Sequence, residues 1–383
     1  MNLSNDQEMI LETAINIAKQ ELAPMSAEVD RKQIFPRHGV QKLADAGFLG
    51  MTIPEDLGGG GADTLSFVLA MEAIARGCAS TASVFVAHAV VAGALAVAGT
   101  DEQKSRFLPA MAAGRRLGAY AVTEPASGTN PFATTTKAIS DGDDFVVNGT
   151  KTFTTSSEEA EVYMVILRTN QSRGPANLST LIIEKGTPGF SFGKKEDHMG
   201  LRGSSDGELI FEDCRVTKAN LLGPENDYFT ILPKFAGLVM LGAAAISLGI
   251  AHAAADAAIN HAKTRDVAGQ SIGEYQGIQY LLAEMNTALA AAKALTYSAA
   301  EQLDGNGWQP PSPLPLYMAK LFATETAIDV THKALQVYGG TGYSRELPLE
   351  RYCRDARGGT LHFVTSEMLK GMLGRMFMGM PPF

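Results

Sequence analysis

The sequence predicts an α+β protein of several domains: an N-terminal helical domain, a middle β-barrel-like domain and a C-terminal four-helix bundle. Two changes of periodicity predict it. Apolar residues recur at helical spacing over 1–118, short β-branched and aromatic segments separated by turn residues fill 119–227, and helical spacing returns over 228–383. We place the domain boundaries at these changes. Four long C-terminal helices after a β module favour one globule, with the β module between two helical parts.

Composition and charge exclude several classes of protein. The 383 residues are 45% hydrophobic and 19% charged, as in a globular protein with a large core. The formal net charge of −9 argues against a nucleic-acid partner. Cys78, Cys214 and Cys353 are too few and too scattered for a disulfide framework or a metal site. The first 22 residues favour an amphipathic helix over a signal peptide, so we expect a cytoplasmic protein without metal.

The N-terminal domain is predicted to consist of helices. Leu3, Ile10 and Ile17 give helical spacing to the first segment, and Pro24 is expected to stop or bend it. Four consecutive glycines at 58–61 predict a loop. Further helices are predicted over 35–51, 64–76 and 80–98, and from the N-cap Thr100 onward.

Two apolar stretches, 77–100 and 235–255, are long enough to cross a membrane and contain no Asp, Glu, Lys or Arg. Both are rich in Ala, Gly and Ser, so their transfer into lipid would be only weakly favourable. Small residues also allow helices to pack closely. We predict two helices buried in the protein and no membrane span.

Strands are predicted throughout the middle domain. Asp141-Gly142 and Asn148-Gly149 are both hairpin-type turn signals. The predicted strand segments are "GAYAVTE", "TTTKAIS", "DFVVNGTKTFTT", "VYMVILRT", "STLIIEK", "GFSFGKK" and "GELIFEDCRV". In the C-terminal part, helices are predicted over about 228–263, 274–303, 313–339 and 346–376, with a Pro- and Gly-rich loop at 304–315.

Five segments carry a resemblance to a known family. They are "YAVTEPASGTN" (120–130), "KTFTTSS" (151–157), "MGLRGSSDGELIFEDCRV" (199–216), "RDVAGQSIGEYQGIQYLLAEM" (265–285) and "QVYGGTGYSRELPLERYCRDAR" (336–357). In this order they resemble the T-E-P-x-x-G-S-D, K-x-W-I-T-N-G, L-G-x-R-x-S, R-x-x-F-G-x-x-I and Q-x-Y-G-G-x-G-Y motifs of the acyl-CoA dehydrogenase family. The resemblance covers essentially the whole chain and implies that family's fold.

The resemblance implies an FAD site. The chain has no strand–G-x-G-x-x-G–helix unit, so a dinucleotide would need hydroxyl and backbone donors from the β domain and a cation for its pyrophosphate. Taken without the family, Thr123 and Thr155 would be ordinary strand residues. With it, the residues expected at the flavin are Val122, Thr123, Thr155 and Phe153, the last replacing a stacking Trp; Thr365 keeps the family's Thr.

A second set of residues is expected to reach the cofactor of a neighbouring subunit. These are Arg265, Gln336, Gly339 and Gly340. A cofactor site shared in this way implies a homotetramer, a dimer of dimers. The resemblance also implies an acyl-CoA or acyl-carrier thioester as substrate and an electron-transfer flavoprotein as a partner. Ser83, Val86 and the small residues near Leu95 are candidates for the acyl-tail pocket, and the chain length of the acyl group stays open.

The catalytic base of the family is missing. Family members take the α-proton of the thioester with a Glu in an I-Y-E-G-T loop, and the matching residues here are "LHFVT", which place Phe363 at the Glu. Some relatives carry the Glu on a C-terminal helix, near Val239 here, but 235–255 contain no acid. His88 and His362 are the titratable groups left near the pocket; His88 is expected to be a hydrogen-bonded helix histidine.

The backbone N–H of residue 363 survives the replacement of Glu by Phe. In the family this N–H donates to the thioester carbonyl, so polarisation of the carbonyl is expected to persist while proton abstraction weakens. Three hypotheses stay open: an FAD-dependent acyl-thioester oxidoreductase with a displaced base, an acyl-CoA lyase or desulfinase-like enzyme with non-redox FAD, and a non-catalytic partner subunit of a mixed oligomer.

Overall fold

The computed structural model describes residues 3–128, 130–170, 177–304 and 310–382. Its N-terminal domain is helical, as predicted, and the predicted N-cap Thr100 begins its last helix with a capping box to Gln103. The helices are α1 Asn5–Ile17, α2 Ala23–Lys32, α3 Arg37–Asp45, α4 Thr64–Gly77, α5 Ala79–Ala98 and α6 Asp101–Ala112.

Pro24 does not stop the first helix, so the predicted stop was wrong, although the helix is interrupted just before Pro24. A π-helical turn, Ala18–Leu22, joins α1 directly to α2, and Pro24 lies in the first turn of α2. A proline is tolerated there because the N–H that it lacks has no helical partner to lose. The chain therefore runs as one interrupted helix from Asn5 to Lys32.

The middle domain is built on one seven-stranded sheet. Its strands run in the order β1-β4-β2-β3-β7-β6, with β5 paired to β4. β1 pairs with β4 in parallel, and antiparallel ladders join β2–β3, β3–β7, β6–β7 and β4–β5. The strands are β1 Gly118–Ala121, β2 Lys137–Asp141, β3 Asp144–Thr154, β4 Val162–Arg168, β5 Leu178–Glu184, β6 Phe190–Lys195 and β7 Gly207–Thr217.

Only one of the two predicted hairpin turns is a turn. Asp141 pairs with Asp144 across a tight connection in which Gly142 has a φ of 60°, so the first prediction is confirmed. Asn148-Gly149 instead lies inside β3, at a shift of register against β7. Gly149 is needed because a side chain there would lie 2.5 Å from the hydroxyl of Thr136. The glycine therefore marks a bulge and not a chain reversal.

The C-terminal domain is helical, but its fourth predicted helix is two helices. The segment predicted over 346–376 is broken at 360–365, after the pair Gly358-Gly359. The broken segment matters because it contains Phe363. The helices are α7 Tyr228–Ile231, α8 Ala236–Thr264, α9 Gln276–Glu301, α10 Leu314–Tyr338, α11 Leu349–Gly359 and α12 Ser366–Phe377, with a hairpin of β8 Asp266–Val267 and β9 Gln270–Ser271 between α8 and α9. Part of the predicted loop at 304–315 lies outside the described residues.

The two long apolar helices, α5 and α8, lie inside the protein. Both pass a test of length and hydropathy for a membrane span, and 83% and 89% of their most apolar windows are buried. They pack against each other at small residues: a methyl group on Gly93 would lie 2.2 Å from Leu238 Cδ1, and one on Gly242 would lie 2.3 Å from Val86 Cγ2. The prediction of buried, closely packed helices is confirmed.

The three domains meet around the middle of α11. The Arg354 guanidinium donates to both carboxylate oxygens of Asp30 in α2, at 2.8 and 2.7 Å, and to the carbonyl of Met199 at 2.9 Å. The neighbouring Asp355 accepts the backbone N–H of Leu201 at 2.6 Å. Burial raises the pKa of Asp355 to about 6. This junction fixes the 199–207 turn of the middle domain against the C-terminal helices.

Candidate active site

The two predicted flavin-contacting segments lie side by side. The N–H of Thr152 donates to the carbonyl of Thr123 at 2.9 Å, which places 122–124 along β3. Beneath them, the ammonium of Lys151 donates to the carbonyl of Val122 at 2.9 Å and to Glu124 Oε1 at 2.8 Å. The sequence therefore brings Val122 and Thr123 to one edge with Phe153 and Thr155.

Glu124 and Lys151 form a buried ion pair that sequence reasoning did not single out. Glu124 also accepts hydrogen bonds from the N–H and the hydroxyl of Thr135, both at 2.6 Å, and from the N–H of Thr136 at 3.0 Å. Burial raises the pKa of Glu124, but the Lys151 charge and these hydrogen bonds outweigh it and lower the pKa to about 2. Burial lowers the pKa of Lys151 to about 8. The pair holds both segments together.

Phe153 stands out from this edge. Its φ is 53° and its side chain is 56% exposed, at a register shift between Lys151 and Thr154. The next turn is tied down, because the N–H groups of Ser156 and Ser157 donate to the carbonyls of Ser204 and Ser205 at 2.9 and 3.0 Å. The backbone is therefore held in an unfavourable conformation that presents the Phe153 ring.

Residues at this edge fit an FAD ring. Within the described residues, the buried hydroxyls of Thr154 and Ser156 have no hydrogen-bond partner, and the side chain of Thr155 is half-buried beside them. A cluster of unbonded hydroxyls next to an exposed aromatic ring suits a planar ligand rich in hydrogen-bonding atoms. Phe153 and Thr155 would border such a ring, and Val122 and Thr123 would offer it backbone groups.

The second predicted set lies apart from the first. Arg265, Gln336, Gly339 and Gly340 are exposed, at the adjoining ends of α8 and α10. Stacking of His261 on Tyr338, with ring centroids 3.9 Å apart, brings these two helix ends together. Neither glycine has an atom within 4 Å of where a side chain would begin. The set forms an open cationic ledge and takes no part in the Val122–Phe153 edge of the same chain.

Phe363 lies at the tip of a tight turn. Its φ is 59°, and the N–H of Val364 donates to the carbonyl of His362 at 2.8 Å, which makes a γ-turn of the rare positive-φ form. The Phe363 side chain is 40% exposed, and within the described residues its N–H donates to no acceptor. The predicted donor for a thioester carbonyl is therefore available.

Lys320 holds this turn from below. Its ammonium, fully buried, donates to the carbonyl of Val364 at 2.6 Å. Burial lowers the pKa of Lys320 to about 8, against the charges of Glu325 and Glu367. Thr365 ends the turn as the N-cap of α12, where its hydroxyl accepts the N–H of Met368. Thr365 therefore has a structural task beside any contact with a cofactor.

His88 is a structural histidine, as predicted. Its Nε2 lies 3.1 Å from the carbonyl of Leu49, and its Nδ1 accepts the N–H of Gly118 at 3.2 Å. Burial lowers its pKa to about 4. With both ring nitrogens engaged, His88 has no free site for a substrate proton.

Three domain models match the chain: the acyl-CoA dehydrogenase N-terminal domain over 4–115, the middle domain over 119–214 and the C-terminal domain over 240–378. The chain is 40% identical to the acryloyl-CoA reductase (NADH) of Anaerotignum propionicum, over 98% of this chain and 95% of that protein.

Two solved structures have the same fold as this chain. A chain of the structure described as the electron transferring flavoprotein of Acidaminococcus fermentans gives a TM-score of 0.95 at 39% identity and covers 98% of this chain and 99% of its own. Butyryl-CoA dehydrogenase from Megasphaera elsdenii gives a TM-score of 0.95 at 34% identity, and the match covers 99% of each chain. This chain belongs to the acyl-CoA dehydrogenase family, whose members are FAD-dependent oxidoreductases acting on the CH–CH bond of acyl-CoA thioesters.

Proposed function

We propose that this protein dehydrogenates a short acyl-CoA thioester between its α and β carbons, without a carboxylate at position 363. FAD, when bound, supplies the acceptor for the β-hydride. The chain binds the thioester, polarises its carbonyl through the Phe363 N–H, and removes the α-proton with a base other than residue 363. The observation that carries the proposal is the unbonded Phe363 N–H, held in a fixed turn by Lys320.

The geometry of that turn suits carbonyl activation. A backbone donor that is already oriented stabilises the negative charge that develops on the thioester oxygen without further rearrangement. Lys320 fixes the neighbouring carbonyl, and the N-cap at Thr365 fixes the chain beyond it. The polarising half of the family's chemistry is therefore supported by residues that this chain retains.

Close packing of α5 on α8 supports a short acyl group. Val86, predicted at the tail pocket, is buried and lies against Gly242, and Leu238 lies against Gly93. Side chains that fill the space between these helices leave little depth for a long tail. The acryloyl-CoA and butyryl-CoA activities named for two relatives involve acyl groups of this size.

We also propose three features of the working enzyme. The exposed ledge of Arg265, Gln336, Gly339 and Gly340 would complete the cofactor site of a second subunit, which supports a homotetramer. The likeness to a chain from a structure of an electron transferring flavoprotein supports a partner of that kind. The free cysteines Cys78, Cys214 and Cys353 support a reducing, cytoplasmic location.

Anaerobic mixing with butyryl-CoA tests the activity. The wild-type protein is expected to bleach its oxidised flavin and form crotonyl-CoA. Phe363→Glu is expected to do so faster, by at most roughly 10²–10⁴-fold, which is the whole contribution of a positioned general base. Phe363→Leu, the matched control, changes the side chain without adding a base and should keep the wild-type rate within about ten-fold.

The same experiment separates the alternatives. Loss of a β-substituent from a β-sulfinyl thioester without any bleaching would indicate lyase chemistry and contradict the proposal. Bleaching that begins only when another subunit is added would indicate a partner role. The relatives give neither alternative support over dehydrogenation. Failure of Phe363→Glu to reduce the flavin with any straight acyl-CoA of three to eight carbons would overturn the proposed function itself.

A further inference from the structure

A second buried carboxylate lies at the edge where the flavin is expected. Asp206 directly precedes Gly207, which pairs with Thr154 of β3. The Asp206 side chain is 4% exposed, and its Oδ1 is buried without a hydrogen-bond partner in the described part of the chain. An unsatisfied buried carboxylate oxygen is unfavourable and rare, so it indicates a donor that the described residues do not supply.

The backbone holds Asp206 beside the two unbonded hydroxyls of this edge. The residue before it, Ser205, accepts the N–H of Ser157 at 3.0 Å, and the residue after it pairs with Thr154. Asp206 therefore lies opposite the turn that carries the hydroxyls of Thr154 and Ser156, both buried and unbonded among the described residues. Three buried polar atoms without partners at one edge suit a ligand that brings its own hydrogen-bonding groups.

His198 contacts the other carboxylate oxygen and joins the pair to the exposed aromatic ring. Its Nδ1 lies 3.1 Å from Asp206 Oδ2. The ring centroids of His198 and Phe153 are 5.8 Å apart, and Phe153 is the exposed ring expected at the flavin. The Asp206–His198 pair therefore lies on the Phe153 side of the edge, where the cofactor is expected.

The net charge of this pair depends on pH. The hydrogen bond to Asp206 raises the pKa of His198, against the effect of burial, and the charges of Glu196 and Asp197 raise it further. Arg202 of the same loop pairs with Asp197 at 3.4 Å. Below the pKa of His198 the pair is neutral, and above it the pair carries one negative charge.

His362 is a second titratable ring on which the Asp206 charge acts, from the 360–365 turn. Burial is the main cause that lowers its pKa below the ordinary value, and the Asp206 charge raises it in part. The charges of His198 and Lys320 lower it further. Among the described residues the imidazole of His362 makes no hydrogen bond. We therefore expect it to be uncharged over the pH range in which His198 loses its proton.

We propose that the Asp206–His198 pair sets the reduction potential of bound FAD, and that Asp206 Oδ1 accepts a hydrogen bond from the cofactor. Reduction adds two electrons and one proton to FAD, so the reduced ring is an anion. A buried carboxylate nearby disfavours that added charge, and protonated His198 offsets the carboxylate. FAD offers two kinds of donor, the imide N–H of its ring and its ribityl hydroxyls. The inference rests on the FAD of the proposed function but not on its acyl substrate.

Reduction potentials of the holoenzyme at about pH 6 and about pH 9 test the pair. They are measured against reference dyes without acyl-CoA, so the result does not depend on dehydrogenation. At the higher pH, Asp206→Asn should raise the potential, because it removes an uncompensated negative charge. At the lower pH, His198→Gln should lower the potential, because it leaves the carboxylate uncompensated. Each shift is expected to be about 30 mV, a roughly ten-fold change in the ratio of affinities for reduced and oxidised FAD.

The pH dependence separates an electrostatic role from a structural one. His198→Gln should match the wild type at about pH 9, where the wild-type imidazole has lost its proton, whereas a packing defect would persist at both pH values. His38→Gln is the matched control: it removes an exposed histidine that pairs with Glu21, and should leave the potential unchanged. Shifts of Asp206→Asn and His198→Gln in the same direction, or no shift in either, would overturn the role of the pair.

Release of FAD from diluted holoenzyme tests the hydrogen bond, and flavin fluorescence follows it. Asp206→Ala removes the acceptor and should release FAD roughly ten-fold faster than wild type, while Asp206→Asn, whose amide oxygen can still accept, should lie between them. Equal release by Asp206→Ala and wild type would overturn the hydrogen bond.

Reconstitution with 3-methyl-FAD, which lacks the imide N–H, identifies the donor. If the ring imide is the donor, Asp206→Ala and wild type should release this analogue equally fast. If a ribityl hydroxyl is the donor, the difference between the two proteins should remain as large as it is with FAD.

Discussion

Two buried carboxylates of the middle domain, Glu124 and Asp206, are bonded very differently. Glu124 accepts hydrogen bonds at both oxygens from Lys151, Thr135 and Thr136. Asp206 accepts one partner, His198, and its second buried oxygen has none among the described residues. Both lie beside the flavin-facing edge: Glu124 pairs with Lys151 of β3, and Asp206 directly precedes Gly207, which pairs with Thr154 of β3.

The difference in hydrogen bonding distinguishes a carboxylate that stabilises the fold from one that can still bind a ligand. A fully bonded ion pair in a dry interior fixes the atoms around it, but it has no capacity left to exchange a proton with a ligand. A carboxylate with one oxygen unbonded among the described residues can still accept a hydrogen bond from a ligand. We infer that Glu124 fixes the edge and that Asp206 keeps an acceptor available beside it.

The largest expected effect comes from breaking the fully bonded pair. Lys151→Met leaves Glu124 buried without its cation and should destabilise folding by about 3–5 kcal/mol, with loss of bound FAD. Urea unfolding followed by circular dichroism measures the first effect, and flavin absorbance after gel filtration measures the second. The double variant Lys151→Met/Glu124→Leu should recover most of the stability; if it does not, the pair is not the cause.

Releasing the Phe363 turn should have an intermediate effect. Lys320→Met removes the one hydrogen bond that the Lys320 ammonium makes among the described residues, to the carbonyl of Val364, and should cost about 1–3 kcal/mol. Amide hydrogen exchange over 361–366 should accelerate, and the KM for butyryl-CoA should rise.

Lys333→Met on the same helix is the control for this prediction. Lys333 pairs with Asp329 and Glu284 at the surface, and its removal should leave both measurements almost unchanged. Equal acceleration in the two variants would show that α10, and not the single bond to Val364, sets the mobility of the turn.

The smallest expected effect concerns the strain at residue 363. Phe363→Gly relieves a left-handed conformation that costs about 1–2 kcal/mol, and it increases the entropy lost on folding by about 0.5–1 kcal/mol, so stability should rise by no more than about 1.5 kcal/mol. Thermal unfolding measures it. Val364→Gly, one residue on, has no such strain to relieve and should be destabilising. A clear loss of stability in Phe363→Gly would mean that the ring contributes packing that outweighs the strain.

Local signals predicted the fold except where distant contacts compete with them. Asp141-Gly142 and Asn148-Gly149 are the same kind of dipeptide, yet only the first reverses the chain, because β7 pairs with β3 on both sides of Gly149. The break at 360–365 was missed because apolar spacing continues through it. Pro24 was misread because a proline in a helix can mark a first turn as well as a stop.

The site was predictable where a motif carries it and hidden where residues meet through the fold. Val122, Thr123, Phe153 and Thr155 come together as the motifs implied, and the Phe363 N–H is free as expected. Lys320, which the sequence did not single out, holds the Phe363 turn through the carbonyl of Val364, 44 residues further along the chain. A single sequence gives no signal for that pairing. The contact becomes visible only after α10 has packed against α12.

The contacts of Arg354 with Asp30 and Met199, and of Asp355 with Leu201, have a consequence for modularity. Two adjacent residues near the C-terminus complete polar contacts for segments that are synthesised 150 to more than 300 residues earlier. Those segments stay unfinished until the ribosome has released nearly the entire polypeptide. If recombination replaced the first or last third of the chain with that of a distant homologue, the new segment would have to carry residues that match this junction. The three domains are therefore expected to be inherited together.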